Sequence, residues 1–180
     1  MSHIPGSLDA VVRHTGVDQC SICLTDTVAR RSRIFEEKWG PAFARGPRAM
    51  LASLDAWTRV GSLSISIALW TLACRVLPVH HNLVSLRVVL ERNADLAGRC
   101  PASLACPALE TLTLRRDHGV AFLSCDSISL FFKGSLHLDD GRCGLVLENI
   151  VLEGAADDLE ALFREVRYRD SADWSFPTYL

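Results

Sequence analysis

Apolar residues return in one short pattern three times through the middle of the chain. Leu83-x-x-Leu86-x-Val88 and Leu109-x-x-Leu112-x-Leu114 are two copies, and Val60-x-x-Leu63-x-Ile65 is a third upstream. The middle apolar positions lie 23 residues apart (Leu63 to Leu86) and then 26 (Leu86 to Leu112). Inside each copy, apolar and polar residues alternate, which predicts a short strand with one apolar face. Strands are therefore expected at about 63–67, 85–90 and 111–115. Between the first two, Leu69, Leu72, Ala73 and Val76 fall at i, i+3, i+4 and i+7 before Pro78, predicting a return helix. Between the second and third, Gly98, Pro101 and Pro107 predict an irregular return.

The flanks are less regular. Leu8, Val11 and Val12 predict a short helix ended by Gly16, and Cys20 to Leu24 a strand at about 20–24. Asp26 is placed to cap a helix whose stripe is Val28, Phe35 and Trp39, stopped by Gly40-Pro41. A second helix is expected from Arg48 to Trp57, with Pro47 at its start and Met50, Leu51, Leu54 and Trp57 inward. After Asp117, Cys125-x-x-Ile128-x-Leu130 follows the pattern 16 residues after Leu112, and Leu147-x-x-Ile150-x-Leu152 follows 22 residues after Ile128. The last strand is expected at about 149–152. Between them, Asp139-Asp140-Gly141 sits among alternating apolar residues, predicting either a hairpin near 127–147 or a degenerate repeat. Leu159, Leu162, Phe163 and Val166 predict a final helix opened by Asp157-Asp158, with Trp174 and Phe176 covering the last apolar face.

A strand motif recurring every 20–29 residues with a helical or loop return is the mark of leucine-rich repeats. The expected fold is α/β: one domain over residues 1–180, built as a leucine-rich-repeat-like solenoid of short parallel strands. In such a unit the leucines fill the core and the alternate residues face outward. Ser64, Ser66, Ser85, Arg87, Val89, Thr111, Thr113 and Arg115 are then the exposed positions. Arg87, Thr111, Thr113 and Arg115 are the candidate partner contacts. A broad open face of this kind suits binding to a protein more than enclosure of a small substrate.

Composition narrows the partner. Apolar residues make up 49% and charged residues 22%, and the formal net charge of −2 gives no global field toward nucleic acid or anionic lipid. The densest apolar run, Ile65 to Cys74, is too short to span a bilayer, so no membrane partner is expected. No basic start followed by an apolar stretch opens the chain, and its seven cysteines are expected to be reduced thiols of an intracellular, cytoplasmic or nuclear protein.

Candidate chemistry is thin. Cys20-x-x-Cys23 has metal-ligand spacing, but alternation puts its two thiols on opposite faces, and neither Cys100 with Cys106 nor His80-His81 completes a tetrahedral set. Gly61-Ser62-Leu63-Ser64 lacks the closing glycine of a nucleophile turn, and no phosphate-cradling glycine loop occurs. Arg30, Arg31 and Arg33 are followed by Glu36 and Glu37, as on a solvated face. No catalytic, metal or cofactor residue is assigned. The alternatives to a binding module are a small hydrolase assembled from Cys143 and His137, which lies two residues from Asp139, and a stand-alone structural scaffold.

Three passages resemble the repeat region of fungal F-box-type proteins: His14 to Asp26, where a helix runs through a turn into a strand; Asp55 to Ser66 (DAWTRVGSLSIS); and Cys106 to Asp117 (CPALETLTLRRD), which opens with Pro-Ala-Leu-Glu. Together they span roughly residues 8 to 153. The resemblance implies a substrate-recognition region of a cullin-type ubiquitin ligase, with an unidentified substrate protein as partner. An adaptor would join only through an F-box, and no Leu-Pro-x-Glu-Ile/Leu opening precedes residue 14. The expectation is therefore a repeat region alone, a fragment, or a paralogue without the ligase link.

Overall fold

The computed structural model describes residues 8–16, 19–38, 55–76, 79–91, 96, 103–138 and 143–169. The strands over the first half are β1 (Leu8–Gly16), β2 (Gln19–Asp26), β3 (Arg31–Lys38), β4 (Val60–Ser66), β5 (Ser85–Leu90) and β6 (Leu104–Ala105). The second half adds β7 (Thr111–Arg116), β8 (Ala121–Ser124), β9 (Leu136–His137), β10 (Gly144–Glu148), β11 (Ile150–Glu153) and β12 (Glu165–Arg169). The α-helices among the described residues are α1 (Trp70–Val76), α2 (Cys125–Ser135) and α3 (Asp157–Leu162).

Eight strands form one sheet in the order β12-β10-β7-β5-β4-β1-β2-β3. From β4 to β12 every neighbour is parallel, and each strand lies beside the previous member in chain order. The register puts Leu63, Leu86, Leu112, Leu145 and Val166 in one row and Ile65, Val88, Leu114, Leu147 and Tyr168 in the next. All but the outermost pair are fully buried, each leucine worth about 2 kcal/mol of burial. The approaches to the strands are tied together as well. Val84 N donates to Gly61 O (2.8 Å), Glu110 N to Val84 O (2.9 Å), Gly144 N to Glu110 O (2.9 Å) and Arg164 N to Cys143 O (2.9 Å).

The three central strands expected from the pattern lie side by side and parallel in this sheet, with corrections at both ends. The expected helix at 8–14 is strand, and the described part of the one at 28–39 is a turn over 28–30 followed by β3: β1 and β3 flank β2 in an antiparallel meander, and β2 is not a parallel strand. In β1 the shared inward face is Leu8, Ala10 and Val12, because pairing with β2 on one side and β4 on the other outweighs the local helical spacing. Asp26 caps a turn instead of a helix. Its Oδ1 accepts from Val28 N (3.0 Å) and Ala29 N (2.8 Å), and Arg30 at φ 52° reverses the chain. Of the expected second helix, residues 48–54 lie outside the described set, and Asp55–Arg59 is a 3-10 turn with Trp57 buried.

Past Asp117, the segment Cys125 to Leu130 is helix, not strand. Ser124 Oγ accepts from Ser127 N (3.1 Å), and Ile128, Phe131, Phe132 and Ser135 form a buried i, i+3, i+4, i+7 face. The expected hairpin near 127–147 does not form, since its arms join different sheets: β9 pairs with β6 and β10 with β7. The turn residues 139–142 themselves lie outside the described set. The fourth strand of the repeat is Gly144–Glu148, not 149–152. Asn149 at φ 57° turns the chain out of the main sheet, and β11 pairs with β8 in a separate two-stranded sheet. The last helix ends at Leu162, and Val166 belongs to β12. The tail from 170, with Trp174 and Phe176, lies outside the described residues.

The returns pack on the apolar face of the sheet through a chain of rings. Trp70 of α1 meets Phe131 (5.6 Å between centroids), Phe131 meets Phe132 (5.0 Å), and Phe132 meets Phe163 (5.7 Å). The result is an α/β fold with one large, mostly parallel sheet and few helices.

Candidate contact face

The side of the sheet opposite the leucine rows is polar. One register row runs Val11, Ser64, Arg87, Thr113, Val146 and Arg167, and the next runs Ser66, Val89, Arg115, Glu148 and Arg169. A third contains Asp9, Ser62, Ser85, Thr111, Gly144 and Glu165. The four candidate contacts are thus gathered on two neighbouring strands of one face, as alternation requires.

Their exposure differs from the expected open surface. Arg87 and Thr111 are half-buried, while Thr113 (5% exposed) and Arg115 (6%) are buried, as is Ser66. At the centre lies a residue that the repeat reading missed. Glu148, 4% exposed, stands between two guanidinium groups, with Arg115 Nη1 at 3.9 Å and Arg87 Nη2 at 4.0 Å. Both contacts are longer than a charge-assisted hydrogen bond, so the carboxylate acts as a shared counter-charge and not as a bidentate clamp. Burial lowers the Arg87 pKa from its ordinary value. Glu148 opposes that shift, while Arg115 and Arg169 add to it. Two arginines thus share one carboxylate.

At the margin of this face, Ser66 Oγ donates to Glu91 Oε1 and Arg116 Nη1 to the Glu91 carbonyl. Glu165 takes up Arg167 at 2.8 Å. Glu148 was legible only from the correct register. Reading GLVLE against TLTLR aligns Leu145 and Leu147 with Leu112 and Leu114, and Glu148 with Arg115. The expected strand at 149–152 left it outside the sheet.

The groups weighed for chemistry are dispersed. Cys20 is buried with Ile22 on the core face and Cys23 lies on the other. Cys143 is buried, its thiol donating to Gly144 O (3.6 Å), and burial pushes that thiol up to about 11. His137 is exposed and its Nε2 meets Ser103 Oγ at 3.0 Å; no hydrogen bond joins it to Cys143. Sequence reasoning missed Ser103, which β6 brings to β9. Among the described residues no carboxylate hydrogen-bonds to His137, and Asp139 lies outside them. His80 is buried edge-on to Trp57 (6.2 Å), and burial, then His81, lowers its pKa, which keeps the ring neutral at pH 7. No group of three metal-ligating side chains occurs among the described residues, and no helix there is long and apolar enough to cross a membrane. All six described cysteines are free of disulfides. No protein-family model, curated protein or solved structure matches the chain.

Proposed function

We propose that this chain is a non-catalytic protein-interaction module, built as a leucine-rich-repeat-like solenoid whose partner docks on the polar sheet face. The observation that carries this reading is the registered row arrangement. Five successive parallel strands point their small and charged residues to one side, with Arg87 and Thr111 within reach and Arg115 and Glu148 behind them. Arg87 is the anchor: half-buried, amphipathic and held by a buried carboxylate, it suits the centre of a protein interface. Thr111 and Thr113 supply neighbouring hydroxyls, and Arg115 positions Glu148.

Within that class, the resemblance of residues 14–26, 55–66 and 106–117 to F-box-type repeats favours a substrate-recognition role beside a ubiquitin ligase. Affinity capture from cells with the full-length protein tests both levels at once. Recovery of adaptor and cullin, together with further proteins lost on Arg87→Glu, is the expected result. Absence of adaptor and cullin would remove the ligase reading. A set of captured proteins indifferent to Arg87→Glu would remove the polar face as the docking surface.

A further inference from the structure

Two exposed features far apart on the molecule are complementary. The first is the small sheet of β8 and β11. Its outward face presents Phe122 (66% exposed) and Val151 (44%), which are direct cross-strand partners, with exposed Val120 just before β8. The same face continues along β11 to Glu153 and opens into a pocket of about 340 Å³. Lining it are Cys125, Asp126, Glu153, Gly154, Ala155, Asp157 and Asp158. None of the four carboxylates takes part in an ion pair among the described residues. An apolar step therefore leads into an acidic recess that has no ion-pair partner among the described residues.

The second is the β2–β3 hairpin at the end of the main sheet. Its tip exposes Val28 (73%) beside Arg30 and Arg31, with Arg33 and exposed Ile34 following on the edge strand β3. These arginines have no ion pair among the described residues either. The tip is preformed, because Asp26 Oδ1 holds the backbone N–H groups of Val28 and Ala29.

We propose that the hairpin tip of one copy docks on the β8–β11 face of a second copy, giving head-to-tail self-association. Val28 would cover Phe122 and Val151, and the arginines would enter the recess of Asp126, Glu153, Asp157 and Asp158. The two features cannot meet within one chain. β8 follows β7, and β3 lies five strand positions from β7, roughly 24 Å at about 4.8 Å per strand. A contact between two different patches is heterologous, so it propagates or closes into a ring and does not stop at a two-fold pair. A tip-on-patch contact is also small, below about 1,200 Å², and so weak and salt-sensitive.

Sedimentation velocity on the whole chain, from about 10 to 500 μM, tests this. The wild type is expected to self-associate with concentration and to dissociate as salt rises. Arg30→Glu with Arg31→Glu should leave a monomer, as should Asp126→Lys with Glu153→Lys. An equimolar mixture of the two reversed variants should associate again, which also shows that both are folded. Phe122→Ser, a surface change, should weaken association about tenfold. A wild type that stays monomeric throughout would overturn the proposal, as would association unaffected by either reversal or a mixture that fails to recover it. The outcome is independent of the polar face, because Arg87→Glu should leave self-association unchanged.

Discussion

Glu148 shows how much can depend on one side chain. Arg115 is nearly as buried as the carboxylate, and Arg87 retains a quarter of its side-chain exposure, so water screens the three poorly. Removing the negative charge leaves neighbouring guanidinium groups to repel each other in a desolvated row. Glu148→Gln should therefore destabilise the fold by about 3 kcal/mol, the low end for a broken buried pair because both contacts are long. Urea denaturation measures it, and a loss below about 0.5 kcal/mol would mean that the arginines do not depend on this carboxylate. The thiols give a second residue-scale prediction. Burial, with smaller contributions from Cys74 and Cys143, pushes Cys106 up to about 12, and burial pushes Cys143 up to about 11. In the unfolded chain both return toward 9.0, so above that pH the unfolded state binds fewer protons and stability falls as pH rises. The contribution is complete below about pH 9 and lost progressively toward 11 to 12. Stability measured from pH 8 to 11 should drop more steeply in wild type than in Cys106→Ala/Cys143→Ala; equal slopes would show that these thiols do not titrate differently on folding.

Between residue and molecule, element boundaries are decided by a few backbone positions. Asn149 at φ 57° separates β10 from β11, and its Nδ2 donates to Arg116 O at 3.2 Å. Asparagine tolerates the left-handed region better than other residues with a Cβ. Asn149→Ala loses both that tolerance and the hydrogen bond, and should cost about 1–2 kcal/mol. Asn149→Gly should recover part of it; if alanine proves neutral, the turn is not held by this residue. The same position explains what the sequence reveals and conceals. The strands at 63–67, 85–90 and 111–115 were legible because each alternates cleanly and the return between the first two has its own helical period. The repeat after Asp117 was not, because 33 residues separate Leu112 from its true partner Leu145. That interval contains a whole helix whose opening Cys125, Ile128 and Leu130 imitate the strand motif. At the other end, Leu8–Gly16 and Arg31–Lys38 carry too few apolar residues to reveal their period alone, and only pairing, with β2 for both and also with β4 for β1, makes them strands. The contact face was legible as a set of outward positions, but its burial and its central carboxylate depended on register.

At the scale of the whole molecule, two kinds of connection compete. A stack of strands in which each touches mainly its neighbours can unfold piecemeal, since its stability is close to a sum of local terms. Here the returns oppose that tendency: the rings of Trp70, Phe131, Phe132 and Phe163 join the return after β4 to those after β8 and β11. The buried apolar residues also form one cluster from Leu8 to Phe163. Leu86 lies in the middle of it, fully buried between Leu63 and Leu112. Leu86→Ala should cost about 3 kcal/mol through lost burial and the cavity left behind. If the ring chain couples the two ends, that loss lowers the stability of the whole chain. Tryptophan fluorescence, which includes buried Trp57 and Trp70 on the β4 side, should then shift together with far-UV circular dichroism. Separate midpoints in Leu86→Ala would show that the sheet divides at β5 and that the rings do not bind its halves into one cooperative unit.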